Sequence, residues 1–154
     1  MNKLTNILAL DLGTKTWMAV YEPPGIVTDT VSFQPRKGEL EGSRFHKFYH
    51  YLSVRKCLFN FEKVYYEEVR RHAGVQAAHM YGGFRAVLLM WCVENNIPCI
   101  GVGVTTIKKF GTGKGNATKE MMIKSAEELG YRPVDDNAAD ALHLLRYALE
   151  QERK

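Results

Sequence analysis

Long apolar runs are missing from this chain of 154 residues. No stretch approaches the roughly 20 apolar residues that a membrane-spanning helix needs. The start of the chain, MNKLTNILALDLG, has too short an apolar segment for a signal peptide and no small-residue cleavage site. The sequence therefore predicts a cytoplasmic protein without a membrane partner.

Cysteine is also scarce. Cys57, Cys92 and Cys99 stand singly in apolar surroundings, with neither a paired framework nor a CxxC spacing. This pattern excludes a disulfide scaffold and a thiolate zinc site, and it predicts buried, reduced thiols.

Internal repeats, low-complexity segments and long linkers are absent as well. A chain of this length can bury a full hydrophobic core, so residues 1–154 are expected to form a single domain.

The net charge of +4 is modest, but its distribution is uneven. The stretch TTIKKFGTGKGNATKEMMIK holds five lysines against one acid, and VRRHAG adds two arginines. Basic loops of this kind are candidates for contacts with nucleic-acid phosphates, although a merely solvated surface would have the same composition. The candidate DNA-binding residues are Arg70, Arg71, Lys108, Lys109, Lys114 and Lys119.

The hydrophobic pattern predicts an α/β fold. Three strands are expected first, then helices and strands in alternation, which favours an antiparallel meander followed by parallel strands. The result would be a five-stranded mixed sheet with helices on both faces. The predicted strands are NILALDLG, TWMAVYE, TDTVSFQ, EKVYYEEV and CIGVGV; the predicted helices are residues 40–58, GVQAAHMYGGFRAVLLMWCVENN, NATKEMMIKSAEELG with an Asn N-cap and Gly130 after its end, and DDNAADALHLLRYALEQERK.

Four acids occupy positions that such a fold could bring together. Asp11 ends the first strand, Glu67 ends the fourth, and Asp136 and Asp140 are four residues apart on one face of the last helix. Carboxylates that converge repel one another unless protons or cations neutralise them. Each acid also has a plain structural explanation, as a turn residue, a solvated side chain or a helix cap.

An oxygen-only ligand set suits Mg²⁺ or Mn²⁺ rather than zinc. Two such ions about 4 Å apart would support in-line hydrolysis of a phosphodiester, without a histidine or cysteine nucleophile. His72, His79 and His143 are accordingly expected to be surface or core residues rather than metal ligands.

Four ordered motifs resemble those of RuvC-type Holliday junction resolvases, a family of the RNase H-like superfamily. They are ILALDLGTKTWMAVYE, then KVYYEEV followed by YGGFRAVLL, then GTGKGNATKEMM, and finally NAADAL. They span nearly the whole chain in the family's order. The compact length is most similar to bacteriophage-type members, which would place the protein in the cytoplasm of the host.

The resemblance implies catalytic roles for individual residues. Asp11, Glu67 and Asp140 match metal ligands, and Lys119 matches a lysine placed near the scissile phosphate. At Asn137 the family has Asp or His, so Asp136 is expected to supply the fourth carboxylate, with Asp135 and Asn137 as the other candidates. Three positions after Glu67 the family often has an aromatic residue that stacks near the junction centre; here it is Arg70, which could stack on a base or hold a phosphate.

The function implied is a homodimeric endonuclease that nicks four-way, and possibly other branched, DNA symmetrically, with Mg²⁺ or a substituting Mn²⁺ and two ions per site. The long helix over 74–95 is the candidate dimer interface. Two alternatives keep the fold, namely a YqgF-like RNA-processing nuclease and a catalytically weak junction-binding protein. The sugar kinase and actin superfamily shares a DLGT turn but needs two domains, which 154 residues cannot hold.

Overall fold

The computed structural model describes residues 5–154. Five strands and five helices follow one another as β1 (Ile7–Asp11), β2 (Lys15–Glu22), β3 (Gly25–Ser32), α1 (Ser43–Phe59), β4 (Lys63–Glu68), α2 (Val75–Glu94), β5 (Cys99–Gly103), α3 (Val104–Thr112), α4 (Lys119–Glu128) and α5 (Asp136–Glu152).

The strands form one mixed sheet in the order β3-β2-β1-β4-β5. The first three strands pair antiparallel, whereas β4 pairs parallel with both β1 and β5. The central strand β1 is buried on both faces, which explains its continuous apolar run. The predicted five-stranded mixed sheet is confirmed.

Helices cover both faces of the sheet, because side chains alternate along each strand. Ile7 and Ala9 of β1 pack with α3, α4 and α5 on one face. Leu8 and Leu10 pack with α1 and α2 on the other face, where Phe84 contacts three aromatic rings at centroid distances of 5.1–5.9 Å.

The helix α3 was not predicted as a separate element. Its sequence, VTTIKKFGT, begins with β-branched residues and buries only Ile107, so it resembles a continuation of β5. The helix ends at Thr112 and is capped by Gly113, which adopts a left-handed conformation with φ of 84°.

The predicted N-cap of α4 is wrong, whereas the predicted glycine after its end is confirmed. The N-cap is Thr118 rather than Asn116, because the extended Thr118 accepts a hydrogen bond from the Met121 amide at 3.2 Å. Gly130 does follow the end of the helix with φ of +90°, as expected.

The third strand begins earlier than the predicted segment TDTVSFQ, at Gly25.

The cysteine prediction is wrong at one position. Cys92 is buried and Cys99 is half-buried, but Cys57 is exposed on α1.

His143 is a fully buried core residue, in agreement with expectation, and its Nε2 lies 3.1 Å from the carbonyl oxygen of Met122. Across residues 5–154, the helices are all too short or too polar to pass through a bilayer.

Candidate metal centre

Two carboxylates meet where the parallel strands β1 and β4 end. The strands are in register through Leu10 and Tyr66, so the next residues along, Asp11 and Glu67, are neighbours. By strand alternation both lie on the face that carries Ala9 and Tyr65, which pack with α5. This edge is the usual place for a site in a sheet with parallel strands.

The helix α5 adds two further acids to this edge. Asp136 begins the helix and Asp140 lies one turn later. The helix is fixed by Asp135, whose side chain accepts a hydrogen bond from the Ala138 amide at 2.9 Å. Small buried residues on the inner face of α5 allow it to approach β1 closely; they are Ala138, Ala139, Ala141 and Ala148.

Burial and mutual repulsion perturb three of these carboxyl groups. Burial, with the charges of Asp140, Asp136 and Asp135, raises the pKa of Asp11 to about 7. Burial and the charges of Asp11 and Asp140 raise the pKa of Glu67 to about 8. The pKa of Asp140 rises to about 6, again mainly through burial and then through Asp136. Acids that remain partly protonated near neutral pH form a site that a cation would stabilise.

The chemistry of these donors fits a hard divalent cation. One carboxylate oxygen of Asp140, Oδ1, is buried and has no hydrogen-bond partner. A buried acceptor without a partner is costly, and a metal ion would satisfy it. Within residues 5–154, no three His, Cys, Asp or Glu side chains stand close enough together to hold one ion without moving. The acids therefore interact electrostatically, but no three of these side chains are at ligand spacing.

Two lysines lie beside the acids. Lys119 Nζ is 3.3 Å from Asp136 Oδ2, and its side chain is 77% exposed. Lys108, on α3, is half-buried, and its charge lowers the pKa of both Glu67 and Asp140. Because α3 was not predicted, no sequence pattern placed Lys108 nearer to the acids than the other basic residues.

The predicted arginines line a groove next to the acids. Arg70 and Arg71 border an open groove of about 610 Å³ with Glu68 and the residues 103–106. Arg70 is 84% exposed, and its guanidinium is 3.6 Å from the Glu68 carboxylate. Both arginines are exposed and accessible to a large ligand. The remaining predicted basic residues, Lys109 and Lys114, are exposed on α3 and on the loop after it.

Sequence reasoning missed two basic residues near this edge. Lys15 Nζ lies 4.0 Å from Asp135 and 4.9 Å above the centre of the Trp17 ring. Arg44, on α1, reaches Thr14 Oγ1 at 3.4 Å across the β1–β2 turn. The position of Lys15 in the DLGTK turn, directly after the strand that ends in Asp11, could have indicated its place near the acids. No local pattern indicated that Arg44 lies there.

Two proteins with sequences similar to this chain carry the same name. A crossover junction endodeoxyribonuclease RuvC from an Anaeromyxobacter species is 35% identical over 79 residues, and the match covers 51% of this chain and 38% of the relative. A second protein of the same name, from Nitratidesulfovibrio vulgaris, is 26% identical over 132 residues, covering 82% of this chain and 79% of the relative. No protein-family model matches the chain.

Solved structures with a fold similar to that of this chain include RuvC structures as well. Thermus thermophilus RuvC in complex with a Holliday junction substrate superposes with a TM-score of 0.81 at 20% identity, covering 97% of this chain and 96% of that one. The chain has the RuvC fold. A second Thermus thermophilus RuvC structure gives a TM-score of 0.76 at 22% identity, covering 96% of each chain. The yeast mitochondrial Holliday junction resolvase Ydc2 gives 0.65 at 13%, covering 97% and 82%.

The predicted resemblance to RuvC-type proteins is thus confirmed in sequence and in fold. The residue assignments taken from it, namely Asp11, Glu67, Asp136 and Asp140 as ligands and Lys119 as a phosphate contact, stay predictions, as does the bacteriophage-type subtype. The structure brings the four acids and Lys119 to one edge of the sheet.

Proposed function

We propose that this RuvC-like chain is a metal-dependent endonuclease that resolves four-way DNA junctions by phosphodiester hydrolysis. The observation that carries the proposal is the group of half-buried acids at the ends of β1 and β4 and the start of α5, whose ionised forms are disfavoured without a cation. The RuvC relatives and the similarity to a RuvC structure bound to a Holliday junction support the choice of substrate.

The proposed ligands for Mg²⁺ are Asp11, Glu67, Asp136 and Asp140. When bound, two such ions supply an activated water and stabilise the leaving oxygen. Asp140 Oδ1 is the best placed donor, since it is buried and has no competing hydrogen bond. Asp135 is a weaker candidate because one of its oxygens already caps α5.

Lys119 and Lys108 have different roles in this mechanism. Lys119 is largely exposed and reaches Asp136, so its ammonium group can hold a phosphate oxygen directly outside the acids. Lys108 lowers the pKa of Glu67 and Asp140 and so favours their ionised, ligand-competent forms. Arg70 and Arg71 extend the positive surface along the groove next to the site.

A homodimer is part of the proposal, since two sites related by a two-fold axis would nick a two-fold junction symmetrically. The outer face of α2 supports it. Val93 is 81% exposed, Met90 51% and Val75 70%. Exposed apolar side chains aligned on one helix favour a protein interface. Val93→Glu should therefore give a monomer in sedimentation, whereas Val54→Glu, on the exposed face of α1, should leave the dimer intact.

The deciding experiment is cleavage of a synthetic immobile four-way junction with Mg²⁺, using EDTA as the control. Asp11→Asn should abolish cleavage and retain junction binding, while Glu150→Gln, which changes an exposed acid near the C-terminal end of α5, should behave as the wild type. Cleavage retained by Asp11→Asn would contradict the proposal. Preferential cleavage of structured RNA would instead favour the YqgF-like function.

A further inference from the structure

A pair of histidines lies on the exposed surface of α1, outside the group of acids. His46 and His50 are one helical turn apart and both are exposed. Their Nε2 atoms are 3.2 Å apart, and the two rings are perpendicular with centroids 4.5 Å apart. The Nε2 atoms of the two imidazoles therefore lie next to each other at the surface.

This spacing matches a metal chelate. Two imidazole nitrogens that bind one ion at about 2.05 Å in tetrahedral geometry lie about 3.3 Å apart. Histidines at positions i and i+4 of a helix also supply two zinc ligands in known metal sites. Without a metal, a hydrogen bond from one ring N–H to the other ring nitrogen keeps the pair in this arrangement.

We propose that His46 and His50 form a surface site for a borderline divalent cation such as Ni²⁺ or Zn²⁺. Imidazole ligands favour these ions, whereas Mg²⁺ prefers oxygen ligands, so the pair would be chemically distinct from the carboxylates. The charged neighbour Lys47 is paired with Glu39 at 2.6 Å. No third His, Cys, Asp or Glu completes a cluster within residues 5–154, so water would fill the other coordination positions.

The test is calorimetric titration with Ni²⁺ in excess Mg²⁺, which occupies oxygen-rich sites. His46→Asn and His50→Asn should each weaken Ni²⁺ binding at least about tenfold. His79→Asn, which removes an exposed histidine of α2, is the matched control and should leave the affinity unchanged. Circular dichroism of each variant checks that α1 remains folded.

Imidazole resonances provide a second readout. Ni²⁺ or Zn²⁺ should shift or broaden the signals of His46 and His50 before those of the other histidines. An unchanged affinity in His46→Asn, or an equal loss in His79→Asn, would overturn the assignment. Junction cleavage with Mg²⁺ should be the same in His46→Asn and in the wild type, so failure of this site and failure of the nuclease proposal are separately visible.

Discussion

Replacing Asp11 with Asn should stabilise the protein at alkaline pH when no divalent metal is present. Burial and neighbouring acids raise the pKa of this carboxyl from 3.8 to about 7. At about 1.4 kcal/mol for each pH unit, ionisation of Asp11 in the folded protein costs about 4 kcal/mol. Glu67 and Asp140 share part of this repulsion, so the expected gain from Asp11→Asn is about 2–4 kcal/mol.

The sign follows from where the proton is bound. Because the folded pKa of Asp11 is higher than the unfolded one, the folded state holds the extra proton between about pH 4 and pH 7. The free energy of unfolding of the wild type therefore falls as the pH rises through this window. Asn carries no proton to lose, so the advantage of the variant grows from pH 5 to pH 8.

The assay is thermal unfolding in EDTA at pH 5 and pH 8. The melting temperature of Asp11→Asn should exceed that of the wild type by on the order of 5–10 °C at pH 8. At pH 5 the difference should be less than half as large, because most of the window between the unfolded and the folded pKa values lies above this pH. Mg²⁺ should stabilise the wild type more than the variant. Glu150→Gln, the exposed control, should show no such pH dependence. Equal effects of Asp11→Asn at both pH values would refute the argument.

Three further predictions can be tested by urea unfolding. Gly83→Ala should lower the free energy of unfolding by about 1–3 kcal/mol, because the new Cβ would lie 2.4 Å from the Phe45 ring. Gly82→Ala has open space around the new Cβ and should raise the free energy of unfolding by up to about 1 kcal/mol. Equal stabilities of the two variants would contradict this packing. Thr118→Ala should cost about 1 kcal/mol through loss of the N-cap, measured against the wild type. In EDTA, Lys108→Ala should destabilise the protein more at pH 8 than at pH 5, with a difference of about 1 kcal/mol between the two pH values. The reason is that the charge of Lys108 favours the ionised forms of Glu67 and Asp140. An equal loss of stability at both pH values would argue against that role.

Local patterns were sufficient for most of the fold. The apolar run of β1, the aromatic and β-branched run of β4 and the length of α2 each indicated their element, because both faces of the sheet are covered and burial selects these residue types. The errors are also local. The helix α3 begins with β-branched residues. Thr118 rather than Asn116 caps α4, since only packing decides which of two suitable caps is used.

By itself, the sequence determined which acids stand at strand ends and helix starts, and the motif order determined the family they resemble. Only the tertiary structure decided that Asp11, Glu67 and Asp140 share one half-buried environment, that Lys108 reaches it from α3, and that Asp140 has an oxygen without a partner. The physical reason is that pKa values and unsatisfied hydrogen bonds depend on burial and on charges from distant parts of the chain, which no local pattern records.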